Sequence, residues 1–160
     1  MDIANNIRQI NNHQRRLFDA LEEIDITEIS TLAAVWRGLM FYLSVNMDAK
    51  ERIFYPHLAR VGLGATGAGN AEAEAITALQ AHDRIRSKIA DLDRLEIGYP
   101  EWFVALQELR NLNSDHIALE ESQNLADFRR RATLNLRHEL AIEFLAFQCD
   151  RLISGKSEIN

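Results

Sequence analysis

The sequence predicts an all-α protein: an up-down-up-down four-helix bundle with an additional C-terminal helix, forming one domain over residues 1–160. Three observations predict it. Apolar residues recur at steps of three and four along almost the whole chain. Alternating β-branched runs and Asn-Gly or Asp-Gly hairpin turns are absent from the sequence. The breaks between periodic segments are short, and short connections set long helices antiparallel.

The first helix is expected from about Asp2 to Ile24, with Ile3, Ile7, Ile10, Leu17, Leu21 and Ile24 on one stripe. The second is expected from an N-cap at Thr27 to about Arg60, with Trp36, Leu39, Met40, Leu43, Met47 and Phe54 inward and Pro56 loosening its last turn. Residues 62–69 hold four of the seven glycines and read as a loop. No Lys-Ser/Thr follows that loop and no strand precedes it, which excludes a phosphate-binding motif. The third helix opens at Asn70, a good N-cap, with Glu72 and Glu74 favourably placed in its first turn. Its stripe is Ile76, Leu79, Ile85, Ile89 and Leu92. Gly98 and Pro100 mark a stop and a restart. The fourth helix then runs to about Arg130, with Leu106, Leu109, Leu112, Leu119 and Leu125 inward. The core bundle thus spans about 2–130, and an extra helix spans about 133–154 with Gly155 as its C′ residue.

Composition narrows the function. The net charge of −6 and the lack of a concentrated basic patch argue against nucleic-acid binding. No apolar run approaches the roughly 18 residues of a membrane span. The N-terminal MDIANNIRQ lacks a basic head followed by an apolar block, and Cys149 is alone, so a cytoplasmic location is expected. The acidic surface and extra helix permit a homodimer.

The informative residues are polar ones placed on apolar stripes. His13 lies three after Ile10 and four before Leu17; His82 lies three after Leu79 and three before Ile85. His116 lies four after Leu112, and Glu120 four after His116. A buried imidazole needs partners for its nitrogens, and a buried carboxylate is costly alone. A metal ion answers both needs, and nitrogen with carboxylate donors suits Fe, Zn, Mn or Cu. The bland reading is that each is a hydrogen-bonded core residue. His57, beside Pro56, is expected to face solvent, and His138 to be structural or superficial. Glu-x-x-His pairs of ferritin-like carboxylate enzymes are missing: Ile10, Phe54, Leu79, Asn113 and Asn135 stand three before the histidines.

This pattern resembles the hemerythrin-like, or HHE cation-binding, family over about residues 5–130. NNHQRRLFDAL supplies the first-helix histidine as His13, ALQAHDRI supplies His82, and SDHIALEES supplies His116 and Glu120. The tail of the second helix, ERIFYP, is also similar to the family's. The resemblance implies a four-helix bundle with a non-haem di-iron or related dinuclear site. The second helix departs from it: Asn46 falls where the family has histidine and Lys50 where it has the bridging carboxylate.

Two readings follow. In the first, His13, His82, His116 and Glu120 hold one ion, iron, in a non-enzymatic protein for oxygen, other diatomic or redox sensing, or for iron handling. In the second, no metal is held, Lys50 pairs with Glu120 in its place, and the bundle is a protein-interaction or dimerisation module. The second helix has an alternative register as well, with Met47 and Glu51 inward and Lys50 turned out.

Overall fold

The computed structural model describes residues 1–64 and 69–159, with side chains through Gly155. Residues 65–68 of the glycine loop lie outside the described residues. The described residues form helices and no strand.

Helix α1 (Ile3–Glu23) is capped by Asp2, whose carboxylate accepts from the Ala4 N–H at 2.8 Å. Helix α2 (Ile29–Ala49) begins later than its expected Thr27 cap. Thr27 is held instead by Asp25, whose Oδ1 accepts from both its N–H and its hydroxyl, an Asx turn. A π-helical turn (Lys50–Phe54) then leads into α3 (Tyr55–Val61), with Pro56 in the first turn of α3. The wide turn takes up the proline, which has no N–H to return to a preceding carbonyl.

Helix α4 (Ala71–Asp93) is capped by Asn70, which accepts from the Ala73 N–H at 2.7 Å. Gly98, at φ 91°, takes the left-handed turn conformation before α5 (Pro100–Leu119). A second π-helical turn (Glu120–Asn124) leads into α6 (Leu125–Arg131). Helix α7 (Leu134–Ile159) runs through Gly155 rather than ending there. A Cβ at Gly155 would come 3.3 Å from the Phe41 ring, so this glycine serves close packing on α2.

Two expected stripes are rotated. The buried face of α1 is Ile3, Ala4, Ile7, Asn11, Gln14, Phe18 and Leu21, with Ile10, Leu17 and Ile24 at its margin. That of α4 is Ala71, Glu74, Ala75, Ala78, His82, Ile85 and Leu92, while Ile76 and Leu79 are 48% and 38% exposed. Leu119, expected inward on α5, is also exposed.

The interior holds two apolar clusters. One gathers Ile3, Ile7, Phe54, Leu58, Leu125 and Phe128, closed by Leu140 and Phe144 of α7. The other gathers Phe18, Leu21, Trp36, Leu39, Trp102 and Leu109. The buried polar residues Asn11, Lys50, His82, His116 and Glu120 belong to neither, and all four bundle helices or their π turns contribute to them.

Candidate metal centre

Glu120 is fully buried where the second π turn begins. Its two oxygens face different chemistry. Oε1 accepts from the Lys50 ammonium at 2.9 Å and from Asn11 Nδ2 at 3.1 Å. Oε2 accepts from the Tyr55 hydroxyl at 3.2 Å and lies 3.4 Å from His116 Nε2. His116 Nε2 lies 3.1 Å from His82 Nε2, which in turn is 3.2 Å from the Tyr55 oxygen. The remaining ring nitrogen of His82, Nδ1, is 3.2 Å from Glu51 Oε1. Glu51 is clamped by Arg86, with two contacts of 2.7 Å.

The two π turns explain how these groups meet. In each, the backbone bond spans five residues: the Tyr55 N–H reaches the Lys50 carbonyl, and the Leu125 N–H reaches the Glu120 carbonyl. Consecutive residues of an α-helix point about 100° apart. Here Lys50 and Glu51 both find core partners, Glu120 and His82. The two registers considered for the second helix are therefore both partly realised, Lys50 inward and Glu51 reaching the imidazole. Asn46 is buried but turned to α7, its Oδ1 accepting from Gln148 at 2.9 Å. Its Nδ2 is buried without a hydrogen-bond partner.

Electrostatics follow from the burial. Burial alone would raise the Glu120 pKa, but the Lys50 ammonium and His116 hold it well below the usual glutamate value. Burial, then His116 and Lys50, push the His82 pKa down to about 2, so its imidazole is neutral. Burial and the Glu120 charge raise Tyr55 well above an ordinary phenol, so it keeps its proton.

Of the four residues predicted from sequence, His82, His116 and Glu120 come together and His13 does not. His13 is half-buried on the flank of α1, edge-on to the Tyr42 ring at 4.5 Å. There it lines a groove of about 350 Å³ with Phe41 and Cys149. The residue that α1 sends to the cluster is Asn11, two positions earlier. The physical reason is the rotated stripe: Asn11 and Gln14 occupy its centre, and hydropathy gives no weight to buried amides. His57 is half-buried against Arg60, and His138 is exposed beside the N-terminal amine.

Sequence reasoning also missed Tyr55 and Arg86. A signal was present. His82 and Asn11 are 71 residues apart, as are Arg86 and Arg15; Glu120 and Lys50 are 70 apart, as are Glu121 and Glu51. Aligning the chain with itself at that spacing selects Asn11 over His13. A cleft of about 330 Å³ between α4 and α5, lined by Ala81, Leu112, Asp115 and His116, opens toward the cluster.

Comparison with known proteins fits this architecture. A crystal structure of a hemerythrin HHE cation binding domain-containing protein from Mycobacterium kansasii superposes with a TM-score of 0.82 at 13% identity, covering 99% of this chain and 92% of that one. No curated protein matches the chain. The hemerythrin HHE cation binding domain matches residues 2–126, and the chain belongs to that family.

Proposed function

We propose that this chain is a one-ion member of the family: a non-enzymatic module that holds a single iron-type ion at His82, His116 and Glu120. The ammonium of Lys50 supplies the positive charge of a second ion. The observation that carries this reading is the division of Glu120, with Oε1 on Lys50 at 2.9 Å and Oε2 turned to the imidazoles. A carboxylate that would bridge two ions bridges one ammonium and one donor pocket.

A dinuclear group does not fit these residues. Where the second half of the bundle has His82, His116 and Glu120, the first has Asn11, Asn46 and Lys50. Amides are weak ligands and an ammonium repels a cation. A single ion suits the second half better. His82 is neutral, as a ligand must be, and Glu51 holds its outer nitrogen, the arrangement that orients ligating histidines. The cleft beside His116 gives a small diatomic molecule an approach. When bound, such an ion supplies reversible diatomic binding or one-electron redox sensing, or is itself the cargo. The protein's own part is to fix two imidazoles and one carboxylate and to keep bulk water out. Among the described residues no nucleophile or acid-base pair is aimed at an organic substrate, in keeping with the non-enzymatic role proposed.

A second reading has its own support. Every polar group of the cluster already has a hydrogen-bond partner, and no set of His, Cys, Asp and Glu alone among the described residues forms a metal-holding group. In that reading the bundle holds no ion and serves as an interaction or dimerisation module. Elemental analysis of protein grown with iron and purified without chelator separates the two. About one iron per chain supports the one-ion module; about two overturns it; none moves the assignment to the metal-free module.

A further inference from the structure

We infer that Tyr55 is the fourth ligand of this ion, filling with a phenolate the place the sequence assigned to His13; the inference rests on the one-ion reading. Four donor atoms form a closed ring. His82 Nε2 to His116 Nε2 is 3.1 Å, His116 Nε2 to Glu120 Oε2 is 3.4 Å, Glu120 Oε2 to the Tyr55 oxygen is 3.2 Å, and that oxygen to His82 Nε2 is 3.2 Å. Ligands that neighbour each other around one ion at metal–ligand distances of about 2.0–2.2 Å stand about 3 Å apart. Each neighbouring pair in the ring falls near that separation, and the phenol closes it.

The placement of Tyr55 is specific to this chain's two halves. It opens α3 directly after the first π turn, and it is 2% exposed. Its counterpart after the second π turn is Leu125, which carries no donor atom. The first half, which has Asn11, Asn46 and Lys50 at the matching positions, thus contributes one oxygen donor, and it faces the second half's imidazoles. An anionic ligand also answers a charge problem. Lys50 consumes much of the Glu120 charge, and imidazole ligands bring none. Tyr55 would hold the ion as a phenolate, its hydroxyl proton passing to water. No electron moves.

The test uses the purified full chain loaded with ferric iron. A phenolate bound to iron(III) gives an intense visible charge-transfer band, and excitation into it enhances tyrosinate ring vibrations in resonance Raman spectra. The unmodified chain is expected to show both. Tyr55→Phe, which deletes one buried hydroxyl and keeps the ring, is expected to retain iron with at least tenfold weaker affinity and to lose the band. Tyr42→Phe, on the groove beside His13, is expected to leave the band unchanged. Iron bound without the band or the ring vibrations overturns the ligand assignment alone, as does a band that survives in Tyr55→Phe. A chain that takes up no iron overturns the one-ion reading together with it. The Raman measurement on the unmodified chain decides the matter even where Tyr55→Phe folds poorly.

Discussion

The two halves of the bundle, α1 to α3 and α4 to α6, are built alike and charged differently. Each has a long helix, a second long helix, a π turn and a short helix, and the two π turns begin at Lys50 and Glu120. Each has an outer glutamate held by an arginine of the partner long helix: Glu51 by Arg86, and Glu121 by Arg15. Each outer glutamate also touches the inner residue beside that arginine, His82 in one case and Asn11 at 3.4 Å in the other. Backbone and outer frame are shared, so the difference lies in inner positions, where Asn11, Asn46 and Lys50 stand against His82, His116 and Glu120, and Tyr55 against Leu125. The fold tolerates that exchange because the ammonium and carboxylate fall opposite each other and compensate within the interior. In the proposed one-ion reading, a charge balance among a few buried side chains sets how many ions the scaffold carries, and the helices around them need not change.

The largest effect is expected from breaking that balance. Lys50 and Glu120 have side-chain exposures of 4% and 0%. Lys50→Met leaves a buried carboxylate without its cation, and Glu120→Leu leaves a buried ammonium. In chelator-treated protein each is expected to cost about 3–5 kcal/mol in urea unfolding. The double variant, with both charges gone, is expected to return to within about 1 kcal/mol of the starting stability, because desolvating the pair offsets most of its attraction. Single and double variants that add without coupling would show that the two groups do not meet.

Restoring symmetry is the next test. Asn11→His, Asn46→His and Lys50→Glu together copy the second half into the first, and iron content is expected to rise from about one to about two per chain by elemental analysis. The double change Asn46→His with Lys50→Glu, which leaves His13 as the imidazole of the first helix, is expected to add nothing, since His13 packs on Tyr42 outside the cluster.

That contrast also marks what the sequence disclosed. The helices were legible because a 3.6-residue period survives wherever apolar residues line a core. His82, His116 and Glu120 were legible because each interrupts such a stripe. Lys50 was legible as a partner of Glu120 only through the family resemblance, which sets it at the bridging-carboxylate position, with the Met47 and Glu51 register as the alternative. Asn11 was not, since an amide flanked by Ile7 and Ile10 looks like the polar edge of a helix, while His13 offers the more suggestive ring. The rotation of α4 was hidden in the same way: Ala75 and Ala78 are buried while the larger Ile76 and Leu79 are exposed. The π turns were out of reach because they leave the apolar period of the sequence nearly unbroken, and only Pro56 hinted at the first.

A pH series compares the halves through their inner residues, since His82 titrates and Asn11 does not. The His82 pKa is about 2 in the folded chain against an ordinary 6.5. Below pH 6.5 the unfolded chain takes a proton there and the folded chain does not, so stability falls as pH falls from 6.5 toward 2. The slope is about 1.4 kcal/mol per pH unit for one proton. Above the ordinary glutamate value of 4.5, Glu120 is ionised in both states, which leaves a window for His82 between 4.5 and 6.5. Unfolding midpoints of the metal-free chain are expected to drop across that window, and His82→Asn, which installs the residue found at position 11, is expected to flatten the slope by one proton. An unchanged slope would mean that His82 is not held neutral in the core.

The smallest difference should come from the outer frame. Arg86 grips Glu51 with two 2.7 Å contacts and also reaches Asp48 at 3.1 Å. Arg15 meets Glu121 at 3.4 Å through each of two nitrogens. Both arginine side chains are more than a third exposed, so solvent screens them and neither pair stabilises the fold greatly. Arg86→Ala is expected to cost about 1 kcal/mol and Arg15→Ala less than about 0.5 kcal/mol. The two also differ in kind. Glu51 holds the outer nitrogen of His82, so loosening Arg86 frees an imidazole on the donor side of the cluster, and metal affinity is expected to fall about tenfold. Glu121 steadies only an amide, and Arg15→Ala is expected to leave affinity unchanged. Equal losses of affinity from the two variants would place the arginines in a common electrostatic role, and the asymmetry of the halves would then stop at the inner residues.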